Sequence, residues 1–135
     1  MQTIQGTGRA TGFRFAVVVS KYNDFVTDRL QAGALAAQHA AESGRFDAVV
    51  CLGCLIRGET PHFEYISSAV SLGLSTASAA TGIPMSFGVL TTNSVEEALA
   101  RAGDGPGNKG HEAAIAAIEM AEVVAQLTRQ ATPRP

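Results

Sequence analysis

Three short runs dense in β-branched residues, "FRFAVVVS" (13–20), "FDAVVCLGCLI" (46–56) and "MSFGVLTT" (85–92), each give way to a segment whose apolar residues recur at helical spacing. That alternation constrains the fold more than any other feature. A strand that is followed by a helix and then by another strand returns to the sheet through a crossover, and crossovers join parallel strands. Strands buried on both faces read as continuous apolar runs, as these do, so helices are expected on both sides. The expectation is an α/β fold: a three-layer, doubly wound parallel sheet.

Turn and capping residues set the expected boundaries. Asn23 or Asp24 caps a first helix, with Val26, Leu30, Ala34 and Ala37 at helical spacing and a stop at Ser43-Gly44. Thr60 reads as an N-cap with Pro61 at the first helical position, opening a helix towards Ala80. Asn93 or Ser94 caps the short helix "VEEALARA", and the Gly-rich loop "GDGPGNKG" leads into a last helix from about His111 to Leu127. Residues 1–12 are polar and rich in Gly and Thr, which predicts a loose arm or an edge strand in need of a partner. Residues 128–135 are expected to form a disordered tail. Residues 1–135 make a single domain, with neither an internal repeat nor a linker.

Composition narrows the function. Only 16% of residues are charged, a low share that points to surface covered by partners. The formal net charge is -2 and no Lys/Arg run occurs, so no nucleic-acid footprint is expected. No stretch approaches the length of a membrane span, and the polar N-terminus lacks a signal-peptide pattern; the expected compartment is the cytoplasm.

Parallel sheets bind ligands at the carboxyl ends of their strands, and three loops lie there: "SKYND", "RGETPH" and "TTNS". In "RGETPH", the free N–H groups of a helix start and the Thr60 hydroxyl form a cradle for a phosphate or carboxylate. His62 lies in that first turn, where the positive helix end disfavours the imidazolium, so a neutral ring able to exchange protons near neutral pH is one reading. The plainer reading is a Thr-Pro helix start beside a polar surface histidine. Tyr22 stands past the first strand, where its ring either stacks on a planar ligand or packs on a neighbouring loop. Arg101 ends the short helix, suited equally to a phosphate and to the helix dipole.

Other patterns carry less. "GPGNKG" matches G-x-G-x-x-G but follows a helix, which excludes a dinucleotide fingerprint, and no Ser or Thr after Lys109 makes it a phosphate-binding loop of the NTPase kind. Cys51 and Cys54 spell C-x-x-C inside an apolar strand and read as buried free thiols. His39 reads as a solvated helix residue and His111 as a polar group at a helix start. The three histidines have no metal-ligand spacing, and no metal is expected.

Four ordered blocks, "FAVVVSKYNDFVTDRLQAGA", "DAVVCLGCLIRGETPHFEYI", "FGVLTTNSVEEALARAG" and "GNKGHEAAIAAIEMA", resemble the 6,7-dimethyl-8-ribityllumazine synthase family over most of residues 13–124. The resemblance implies a flavodoxin-like fold and a transferase of riboflavin biosynthesis. Its substrates would be 5-amino-6-(D-ribitylamino)uracil and 3,4-dihydroxy-2-butanone 4-phosphate, condensed without metal or organic cofactor. Imine formation, phosphate elimination, ring closure and dehydration would follow, a path dominated by proton transfers between reactants held together. By the same resemblance, His62 matches the proton-transfer histidine. Gly58, Glu59 and Thr60 match the phosphate-holding turn, and Arg101 matches an arginine on the same phosphate. Tyr22 takes the position that stacks on the pyrimidine, while Asn23, Leu55 and Ile56 match residues lining its pocket. Phe87 and Lys109 look like contributions from a neighbouring subunit, with Arg101 in the same role, so a monomer is expected to be inactive.

Two departures stand out. Relatives turn after the first helix, run a further strand and reach a "PGAFE"-type loop before "LAAQHAAESG". Here "LQAGA" runs straight into "LAAQHAA" at Ala34-Leu35. In relatives that loop holds the ribityl chain and closes the pyrimidine pocket. Either the block is deleted from this polypeptide or it is missing from the sequence as written; the cost of losing a core strand favours the second. A true deletion would favour a different role, a pentameric or shell-forming scaffold without catalysis. A generic phosphate-binding module is a third reading. The other departure concerns assembly: relatives form homopentamers, and many pack twelve into an icosahedral shell. "GDGPG" keeps the loop length of shell formers, but Gly105 replaces their lysine and Pro106 follows. No proline keeps the arm from joining a neighbour's sheet.

Overall fold

Three parallel strands form the sheet of the computed structural model, which describes residues 1–19, 38–39, 42–104 and 106–130. They are β1 (Phe15–Val19), β2 (Ala48–Ile56) and β3 (Met85–Thr92), in the spatial order β1-β2-β3. Phe15 pairs with Ala48 and Val19 with Leu52 across the first ladder; Val49 pairs with Met85 and Ile56 with Thr92 across the second. The α/β expectation holds; β3 has the expected limits, β2 starts two residues late and β1 is shorter at both ends. Of the first helix expected from Asn23 or Asp24, residues 38–39 and 42 are described and helical; the rest of it, with Tyr22, Asn23 and the Ala34-Leu35 join, lies outside the described residues.

Strand β2 sits in the middle, and its alternating side chains feed two cores. Val49, Cys51 and Leu55 meet Ile66, Val70 and Leu74 of helix α1 (His62–Thr81), together with Val89. Ala48 and Val50 face the opposite way, against Ala113, Ala117 and Ala121 of helix α3 (Lys109–Gln130). Both helical sets recur every four residues, one stripe each. Alanines on α3 let its backbone come close, and Gly88 completes the fit. A Cβ there would sit 2.6 Å from the Leu52 Cδ2 and 3.0 Å from the Ala113 Cβ. The short helix α2 (Val95–Arg101) leads from β3 towards α3. As predicted, it is capped by Ser94, whose Oγ accepts from the Glu97 N–H at 3.2 Å.

Two boundaries differ from the sequence expectation. Helix α3 starts at Lys109, two residues before His111, because Asn108 acts as its cap: the Asn108 Oδ1 accepts from the His111 N–H at 2.9 Å. It also runs to Gln130, into the expected tail, while residues 131–135 lie outside the described residues.

In the single chain the N-terminal arm forms no strand and lies against α3. The Glu122 carboxylate of α3 accepts from the Thr7 N–H, from the Gly8 N–H at 3.0 Å, from the Arg9 N–H at 3.1 Å and from the Thr7 hydroxyl at 2.8 Å. Further along, the Gln126 side chain donates to the Gln5 carbonyl at 3.1 Å. Gly6 permits this approach, since a Cβ would lie 2.6 Å from the Glu119 carbonyl oxygen. Burial pushes the Glu122 carboxyl up, but the Thr7 hydroxyl and the three N–H groups outweigh it and hold it below its ordinary value. The clasp is therefore fully present above the ordinary carboxylate range and lost as pH falls through the lowered value. At neutral pH, Glu122→Gln is expected to speed tryptic cleavage after Arg9 by about tenfold, read by mass spectrometry of the released arm. Unchanged cleavage would mean that the clasp does not hold the arm.

Candidate active site

The β2–β3 ladder runs one step past its last paired residues: the Arg57 N–H donates to the Thr92 carbonyl at 2.8 Å. Beyond it the chain leaves the sheet through Gly58-Glu59-Thr60-Pro61 and enters α1 at His62. Here the predicted cap is corrected. Pro61, not Thr60, occupies the N-cap position, and no side chain caps the helix. The Pro61 carbonyl accepts from the N–H groups of Glu64 at 3.2 Å and Tyr65 at 3.4 Å. The first-turn N–H groups are thus not covered by the Thr60 hydroxyl. The His62 and Phe63 N–H groups, ahead of those two, are left open, and open donors at a helix start are a natural seat for an anion. Gly58, Glu59, Thr60 and His62 are all exposed around it.

Arg57 binds this corner together, a role the sequence reading did not give it. Its Nε donates to the Asn93 Oδ1 at 2.8 Å, and its Nη1 pairs with the Glu64 Oε1. The guanidinium also lies over the Phe63 ring, 4.7 Å from the centroid. The only local signal was an arginine at a strand end ahead of an aromatic and an acid in a helix's first turn. Of the two residues expected in the pyrimidine pocket, Leu55 has its side chain in the α1-side core, 4% exposed, whereas Ile56 is half-buried.

Phe87, Arg101 and Lys109 gather elsewhere. They line one hollow of about 510 Å³ along the outer side of β3, with Ser86, Glu112 and Ala113. Phe87 is 45% exposed there. The Arg101 Nη1 donates to the Glu97 carbonyl at 3.2 Å, which is the helix-end role foreseen for it, and Lys109 pairs with Glu112 at 2.8 Å. None of Gly58, Glu59, Thr60 and His62 lines that hollow. The expected site residues therefore fall into two groups on one chain: an anion seat with a histidine at the end of β2, and a cationic, aromatic hollow at the sheet's outer strand.

The sequence profile of the 6,7-dimethyl-8-ribityllumazine synthase family matches residues 34–125. A protein of that name from Syntrophus aciditrophicus (strain SB) is 44% identical over 144 residues, which span 87% of this chain and 94% of the relative. The chain belongs to the 6,7-dimethyl-8-ribityllumazine synthase family. The profile match begins at Ala34, the first residue of the join, and the 144-residue match is longer than the 135-residue chain. The Syntrophus lumazine synthase thus carries residues that this chain lacks.

The remaining candidates are quiet. Cys51 is buried and Cys54 half-buried, both are free thiols, and burial pushes the Cys51 thiol up to about 11, which keeps it protonated and unreactive. His39 is exposed on its helix, 3.8 Å from Glu42. Among the described residues no His/Cys/Asp/Glu group could hold a metal, and no helix is long and apolar enough to cross a membrane.

Proposed function

We propose that the protein is a lumazine synthase of riboflavin biosynthesis, joining 5-amino-6-(D-ribitylamino)uracil to 3,4-dihydroxy-2-butanone 4-phosphate. The observation that carries this reading is the uncapped start of α1 at the carboxyl end of the sheet, with His62 in its first turn. The substrate phosphate sits on the N–H groups around Gly58, Glu59 and Thr60, where the partial positive charge of a helix start favours an anion. His62, beside it, accepts and returns protons as the imine forms, phosphate leaves and the ring closes. Tyr22 stacks on the pyrimidine, and Asn23 and Ile56 border it, with Leu55 supporting from beneath.

Phe87, Arg101 and Lys109 lie outside the His62 cluster, so in this reading a second copy of the chain supplies them. Arg101 and Lys109 then meet the phosphate, and Phe87 meets the pyrimidine. The assembly is a homopentamer in the cytoplasm, able in principle to pack into a shell. Incubating the protein with both substrates and following lumazine absorbance and phosphate release tests the activity. The shared site has its own test. His62→Ala and Arg101→Ala chains, each impaired alone, are expected to regain turnover severalfold when co-assembled, because some boundaries then pair an intact histidine with an intact arginine. Co-assemblies no faster than the separate variants would place both residues in one subunit's site.

One observation favours a second reading. The Syntrophus protein carries residues that this chain lacks; where these are the loop that the resemblance assigns to the pyrimidine pocket, the chain suits a scaffold that assembles but does not catalyse. Intact assemblies that release no phosphate from the butanone substrate would decide for it.

A further inference from the structure

We propose that Arg57 is a positioning residue that staples the anion-holding turn in its binding shape; this rests on the phosphate seat assigned to that turn. The turn has little packing of its own. Gly58, Glu59 and Thr60 are exposed, and a Cβ built on Gly58 would meet nothing within 4 Å. Left to itself, such a segment samples many shapes, and ordering it on binding would weaken the ligand's hold.

Arg57 supplies the missing restraint from one end. Its backbone is fixed by the bond to the Thr92 carbonyl at 2.8 Å, the last rung beside the sheet. Its side chain then reaches Glu64 and Phe63 at the far end of the turn, Glu64 being seven positions along the chain. A third leg goes to Asn93, itself anchored: the Asn93 N–H donates to the Glu97 carboxylate at 2.8 Å at the start of α2. Both ends of Gly58–Phe63 are thus held by one side chain to one fixed point.

The chemistry of the residue fits this role better than that of a phosphate ligand. Arg57 already faces the Glu64 carboxylate and the Asn93 amide oxygen, so its charge and two of its donor directions are committed. The ion pair itself is half exposed, 46% and 49%, so its strength alone contributes little. What counts is geometry: a planar fork that bonds in two directions while its face rests on a ring. An ammonium cannot do all three.

The test uses the full-length protein with Arg57→Met and Arg57→Lys. In the Met variant, hydrogen exchange of the Glu64 and Tyr65 amides, which donate to the Pro61 carbonyl at the far end of the turn, is expected to rise by about tenfold. The KM for the butanone phosphate is expected to rise by roughly tenfold with kcat within about threefold, and the Lys variant to recover only part of the loss. Unchanged exchange at Glu64 and Tyr65 would overturn the staple whatever the activity, and so would a fall in kcat with KM unchanged. A wild-type protein that neither binds inorganic phosphate nor forms product would instead overturn the phosphate seat, while exchange still decides the staple. Should the Met variant fail to fold, Asn93→Ala and Glu64→Ala each cut one leg. Faster exchange in both supports the staple, and no change in either refutes it.

Discussion

Replacing His62 by alanine is expected to lower turnover by about one to two orders of magnitude, leaving measurable product. Positioned proton transfer is worth roughly two to four orders of magnitude in general, but this reaction also draws on the holding of two reactants side by side, which the substitution spares. The proposed phosphate seat is built from backbone N–H groups, so KM for the butanone phosphate is expected to stay close to that of the parent. Stability is expected to shift by less than about 0.5 kcal/mol, because His62 is exposed and no hydrogen bond of its side chain supports the fold. The pattern to look for is therefore a loss in kcat alone, measured by lumazine absorbance at saturating substrate, with an unchanged melting curve. Parent-like turnover would remove His62 from the chemistry.

How far the sequence could be read depended on whether a feature was local. Strands β2 and β3 were visible because unbroken β-branched runs have few alternatives inside a parallel sheet. The Ser94 cap of α2 was visible because its partner, Glu97, lies three residues on. The Thr60 cap was not borne out, although Thr-Pro is a good local signal. The turn there is tied through Arg57 to Asn93, 36 positions away, and no local pattern carries that contact. Glu122 reads as one more polar residue on a helix, and only the folded chain brings the arm, more than a hundred residues earlier, onto its carboxylate. Asn108 was concealed by a glycine string that drew attention to phosphate motifs. The grouping of Phe87, Arg101 and Lys109 came from family resemblance alone, since they belong to three different elements.

Leu55→Ala is expected to destabilise the fold by about 2–5 kcal/mol, a large part of the roughly 5–15 kcal/mol that holds a domain of this size together. Family resemblance set Leu55 in the substrate pocket, whereas its side chain is 4% exposed among Val49, Ile66, Val70 and Val89. The two placements predict opposite results. Truncating a core side chain leaves a cavity that the sheet and α1 close only in part, so the melting temperature is expected to fall by about 10 °C. Truncating a pocket wall would leave stability nearly unchanged and raise KM for the uracil substrate instead. Ile56 makes the control, being half-buried one residue further on, where Ile56→Ala should cost less. Leu55 pairs with Thr91 just before the ladder ends at Arg57, so the loss falls at the end of the sheet next to the 58–61 turn. A Leu55→Ala protein that melts like its parent but binds the uracil poorly would return the side chain to the pocket and leave this end of the core to Val49 and Ile66.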